Sequence, residues 1–75
     1  MSKFVERSMQ RRADIFNYVR WHIIELGYPP TRRDICGYLK ITSTSAVNWH
    51  LVGLQDEGKL QLVPKIARGI VLVEE

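Results

Sequence analysis

The chain has 75 residues, 45% of them hydrophobic and 25% charged, the balance of a folding globular chain and not of a disordered one. That length supports one small domain, residues 1–75 with an ordered core of about 5–73, whose interior is too thin to enclose a deep catalytic cavity, so an ordinary enzyme is excluded. Eleven basic residues stand against eight acidic ones, two of the acids being the terminal Glu74 and Glu75, and the pI near 9.4 favours a polyanionic partner, with a merely solvated basic surface as the alternative.

No apolar run approaches the roughly 18 residues of a membrane span; the longest is Gly69-Ile70-Val71-Leu72-Val73. The stretch from Met1 to Arg12 carries Lys3, Arg7, Arg11 and Arg12 with no apolar region behind them, so a secretory signal is not expected and a cytoplasmic, nucleoid-associated location is. The single cysteine, Cys36, permits no internal disulfide, and with only His22 and His50 at no ligand spacing no metal site is expected. Both histidines are read as packed side chains on the inward margins of their helices, and Cys36 as a small boundary residue. Stability must come from packing.

The first predicted element is an amphipathic helix from about Met9 to Leu26. Ser8 is its N-cap, Phe16, Val19, Ile23 and Leu26 recur at helical spacing beside Ile15, and Gly27 stands where it stops. The turn Gly27-Tyr28-Pro29-Pro30 cannot continue it. Thr31 then caps a short second helix, Arg32 to Leu39, with Asp34 completing a capping box and Ile35 and Leu39 facing inward. Lys40-Ile41-Thr42-Ser43 breaks the period before a third helix from Thr44 to about Glu57, stopped by Gly58.

Beyond Gly58 the period changes to two. Lys59-Leu60-Gln61-Leu62 and Ile70-Val71-Leu72-Val73, joined by Pro64-Lys65-Ile66-Ala67-Arg68-Gly69, predict an antiparallel hairpin with a basic tip. The fold class is therefore α+β: a three-helix winged helix-turn-helix with a C-terminal two-stranded wing, an arrangement that usually meets the DNA major groove.

On the third helix Val47, Leu51 and Leu54 fall on one side, so Ser45, Trp49, Val52 and Asp56 project from the other with Asn48 at its edge. A base-reading face needs hydroxyls, an amide and apolar atoms for the thymine methyl, and Ser43, Ser45, Ala46, Asn48, Trp49 and Val52 supply them. Ser43 and Thr44 also serve as caps, and burial of Trp49 against the hairpin is the alternative to groove contact. Thr31, Arg32, Arg33, Lys40, Thr44, Lys65 and Arg68 are placed to hold phosphates. No nucleophile elbow or phosphate loop occurs, and no cofactor or small-molecule substrate is implied.

Gly27-Tyr28-Pro29-Pro30-Thr31-Arg32 with Ile35, then Ser43, Ala46, His50 and Leu51, then Gly58, and finally Arg68-Gly69-Ile70 together resemble the N-terminal DNA-binding domain of the LexA repressor family, over about Val5 to Val73. The resemblance implies a winged helix-turn-helix repressor that binds operator DNA, usually as a pair of subunits. That family typically carries two acidic residues at the positions of Asn48 and Trp49 and an asparagine at Ser45, so its operator is not expected here. Its members continue into a self-cleaving peptidase and dimerisation domain. This chain ends before any such region and is read as either a part of a longer protein or a stand-alone binder, without self-cleavage. A second reading is a protein-interaction module using an exposed stripe of Asp14, Tyr18, Trp21 and Glu25 on the first helix.

Overall fold

The computed structural model describes residues 3–73, with side chains from residue 7 onward; Glu74 and Glu75 lie outside the described residues. Three helices, α1 (Lys3–Leu26), α2 (Arg32–Leu39) and α3 (Thr44–Asp56), precede two strands, β1 (Leu60–Leu62) and β2 (Ile70–Leu72). The winged helix-turn-helix architecture is as the periodicities predict.

The start of α1 differs. The helix begins at Lys3, so Ser8 lies inside it and is no N-cap. No proline or glycine separates Lys3 from Ser8, and a lone hydroxyl does not interrupt a helix whose backbone can continue. Its buried stripe is Ile15, Val19 and His22, with Phe16 and Ile23 half-buried on one flank. Leu26, expected inside, is 48% exposed because the helix has by then run past the core.

The other helix ends follow from capping chemistry. Thr31 accepts the Asp34 N–H at 3.0 Å while Asp34 accepts the Thr31 N–H at 3.0 Å, so both halves of the predicted capping box are made. The end of α3 is a Schellman motif: Lys59 N–H donates to Leu54 O and Gly58 N–H to Gln55 O, with Gly58 at φ 77°. At the end of α2 the equivalent left-handed position is held by Lys40, φ 55°, and Ile41 N–H reaches Cys36 O at 2.9 Å. That turn swings Ile41 inward to become buried and aims α3.

The core joins all five elements or their connections: Ile15 and Val19 from α1, Ile35 from α2, Ile41 from the turn, Val47, Leu51 and Leu54 from α3, Leu60 and Ile70 from the wing. Each such burial stabilises by about 1.5–3 kcal/mol relative to exposure. The strands pair antiparallel, Leu60 with Leu72, Gln61 with Val71 and Leu62 with Ile70, which puts the leucines and Ile70 on the inner face and Gln61 and Val71 outside. Leu62 N–H donates to Gln55 Oε1 at 2.8 Å, tying the wing to α3.

Gly69 closes the wing loop. Its carbonyl accepts the Val63 N–H at 2.7 Å and its N–H donates to Ile66 O at 3.1 Å, and a Cβ there would lie 2.3 Å from Val63 O. The obstruction is backbone and cannot swing aside. Gly69→Ala should therefore destabilise the chain by about 1–3 kcal/mol in urea unfolding; an unchanged midpoint would show that the loop tolerates a side chain there.

Candidate DNA interface

Once Val47, His50, Leu51 and Leu54 are buried, the helical period leaves Ser45, Asn48, Trp49 and Val52 in solvent. Trp49 is 61% exposed and does not lie under the hairpin. Ser43 and Thr44 are exposed at the helix start, where the Ser43 hydroxyl accepts the Ala46 N–H at 3.3 Å. Ala46 itself is half-buried against the core, which turns much of its methyl away from the outer face.

Two polar clusters hold this face in place, and neither is apparent from periodicity. The first is centred on Arg12. Its Nε donates to His50 Nδ1 at 3.3 Å and its Nη1 to Glu57 Oε2 at 2.6 Å, while the guanidinium carbon lies 5.0 Å from the centroid of the Trp49 ring. Trp49 also stands edge-on to His50 at 5.0 Å. Gly53 makes room: a Cβ there would fall 2.4 Å from the Arg12 guanidinium carbon. Arg12 thus fastens α1 to the middle of α3 and to its C-cap and restrains the tryptophan. The helix-interior Gly53, which has no capping reason to be there, is the one sequence signal that points to it.

The second cluster docks the wing. Arg68 Nη1 donates to Pro29 O at 2.8 Å and to Asp34 Oδ2 at 3.3 Å, and its guanidinium carbon lies 4.7 Å from the Tyr28 ring centroid. Tyr28 is in turn held through His22, whose Nδ1 lies 2.6 Å from Tyr28 O. Asp34 therefore serves both the α2 cap and the wing. The Thr31 backbone N–H holds its carboxyl below the ordinary carboxylate range, opposed by partial burial and helped by the Thr31 hydroxyl and Arg68.

Of the basic residues expected on phosphates, Arg33, Lys40 and Lys65 are exposed and make no ion pair among the described residues. Lys65 occupies the wing loop at φ 65°. Arg68 is partly committed to the body of the domain, and Arg32 is half-buried with its Nε donating to Asn48 Oδ1 at 3.0 Å. The structure thus brings Arg32 onto α3 beside a base-reading candidate and leaves Arg33 without a partner among the described side chains. Thr31 is half-buried, with its backbone N–H and its hydroxyl both engaged by Asp34.

The proposed Tyr18 and Trp21 stripe is corrected. Tyr18 is half-buried, stacked on Tyr38 with ring centroids 4.2 Å apart and 9° between planes, with Trp21 6.2 Å away on its own helix. Asp14 accepts from Gln10 one turn earlier. Tyr18 joins α1 to α2, and of the two aromatic residues in the stripe only Trp21 remains largely exposed.

A helix-turn-helix, a wing docked against it and an outward α3 face with no charge before Asp56 define a winged helix-turn-helix DNA-binding domain. The family model of the LexA DNA binding domain matches residues 6–69. Over 64 residues the chain is 39% identical to the LexA repressor of Ligilactobacillus salivarius, covering 85% of this chain and 31% of that protein. It is 40% identical over 63 residues to the LexA repressor of Hahella chejuensis, covering 84% and 32%, and 35% identical over 69 residues to that of Geobacter metallireducens, covering 92% and 34%. The chain belongs to the LexA DNA binding domain family and spans about a third of the length of these relatives.

Burial, with the positive charges of Arg12 and Arg11, holds the His50 pKa below its ordinary 6.5, and the Arg12 N–H needs Nδ1 as an acceptor. The folded state therefore prefers neutral His50. Its contribution is complete above pH 6.5 and is lost as pH falls below that value, where the unfolded chain takes up the proton first. Glu57, lowered mainly by the Arg12 hydrogen bond, acts only below its ordinary 4.5. Urea unfolding should thus show lower stability at pH 5.5 than at 7.5, and His50→Gln should remove most of that difference. Lys40→Gly should raise stability by about 0.5–1 kcal/mol through relief of the left-handed lysine, read as a higher melting temperature.

Proposed function

We propose that this chain binds double-stranded DNA sequence-specifically as the reading head of a transcriptional repressor, with α3 in the major groove and the wing along the backbone. The observation that carries this reading is the exposed, uncharged outer face of α3 on a helix whose opposite face is fully engaged in the core. Ser45, Asn48, Trp49 and Val52 meet base edges, Val52 and the remaining surface of Ala46 suiting the thymine methyl. Ser43 and Thr44 lie at the start of α3, where free hydroxyl protons reach a base or phosphate.

Arg33, Lys40 and Lys65, with the Thr31 hydroxyl and the uncommitted nitrogens of Arg32 and Arg68, hold the sugar-phosphate chain. One copy covers one half-site weakly, so two copies on a two-fold operator supply the working affinity. The reading needs no cofactor, metal or small-molecule substrate, invokes no catalysis, and puts the chain to work at the nucleoid. Among the described residues no helix is long and apolar enough to cross a membrane. The protein-interaction alternative loses its main support once Tyr18 packs between helices.

Selection of bound duplexes from a random pool should return one half-site motif. Recovery of unenriched sequence would overturn the reading. Asn48→Ala should relax that motif with little effect on random DNA. Arg33→Gln with Lys65→Gln should weaken binding to all sequences and reduce the slope of log affinity against log salt by roughly 2, about one for each phosphate no longer neutralised.

A further inference from the structure

Arg32 is the first residue of α2, yet its side chain turns along α3 instead of outward. Its Nε donates to Asn48 Oδ1 at 3.0 Å, a bond between residues sixteen positions apart in sequence that bridges the two helices of the helix-turn-helix. Since Nε is a donor, its partner must be the amide oxygen, and the orientation of the Asn48 amide is thereby set. The Asn48 Nδ2 group is left as the donor directed away from Arg32. Arg32 is half-buried and anchored, unlike a solvated arginine that only reaches for phosphate.

Two chemical consequences follow. An asparagine reads adenine by accepting from N6 and donating to N7 at once, and here Arg32 already occupies one acceptor site of the oxygen. Meanwhile the guanidinium, held through Nε, presents its Nη1 and Nη2 edge with no partner among the described residues. That edge offers two parallel N–H groups in a fixed plane, the complement of the O6 and N7 acceptors of guanine.

We infer that Arg32 and Asn48 form one composite base reader, in which the Arg32 guanidinium takes the two acceptors of a guanine while Asn48 Nδ2 donates to an acceptor of the neighbouring base pair. This rests on the placement of α3 in the major groove. Arg32 is then a specificity-determining residue and not only a phosphate ligand, and Asn48 is its positioning partner as well as a reader.

Random-pool selection with the 75-residue chain and its Arg32→Lys variant tests the assignment, because lysine keeps the charge and loses the planar fork and the Nε–H. The expected result is a guanine in the wild-type motif whose preference falls by about tenfold or more in Arg32→Lys, with the salt slope unchanged and the unfolding midpoint retained. Asn48→Ala should weaken the same guanine as well as its neighbour, since the guanidinium is then unsupported. Identical motifs from wild type and Arg32→Lys, with Arg32→Gln lowering affinity equally on selected and random duplexes, would reduce Arg32 to a phosphate ligand. Reduced preference for any base other than guanine would overturn the assigned acceptors. A wild-type chain that enriches no motif would sink the DNA reading itself, an outcome distinct from the other two.

Discussion

Val47, Leu51 and Leu54 leave water on one side of α3, and the fixed advance of about 100° per residue then dictates what the other side must present. Everything functional about this chain depends on that coupling. The core could not be closed without these side chains, because α1, α2 and β1 all pack against α3.

The basic residues divide into two groups with different work. Arg12 and Arg68 are engaged within the molecule, Arg12 binding α1 to α3 through His50 and Glu57, Arg68 binding the wing to the turn before α2 through Pro29 and to α2 itself through Asp34. Both sit beside aromatic faces, Trp49 and Tyr28, which suits a guanidinium better than an ammonium. Exposed charge with no ion-pair partner among the described residues remains on Arg7, Arg11, Arg20, Arg33, Lys40 and Lys65. The count of basic residues therefore overstates the number of basic groups free of internal partners.

The same clusters couple the outer face of α3 to the framework. Trp49 is restrained by the arginine that ties two helices together, and Asn48 by the first residue of α2. A side chain with its rotamer already chosen loses less entropy on docking than one that must be ordered by its partner. Left-handed backbone at Lys40 and Lys65 retains cations where glycine would be the less strained choice, a local cost that is reasonable when the side chain has an external task.

The order of elements, the Thr31 and Asp34 capping box, the stops at Gly27 and Gly58, the inward stripe of α3 and the two-residue period of the wing were all legible in the chain itself, because each depends on interactions within a few residues. The start of α1 was less legible: nothing local stops a helix at Ser8, and a capping preference is too weak to do so. Where the long polar side chains go was not legible. Arg12 meeting His50, Arg68 meeting Asp34, Arg32 meeting Asn48 and Tyr18 meeting Tyr38 span separations of 38, 34, 16 and 20 residues. Such partners are chosen only when packed helices bring their flanks within hydrogen-bond or ring-stacking distance, so tertiary structure alone decided which charges are engaged internally and which are left to solvent.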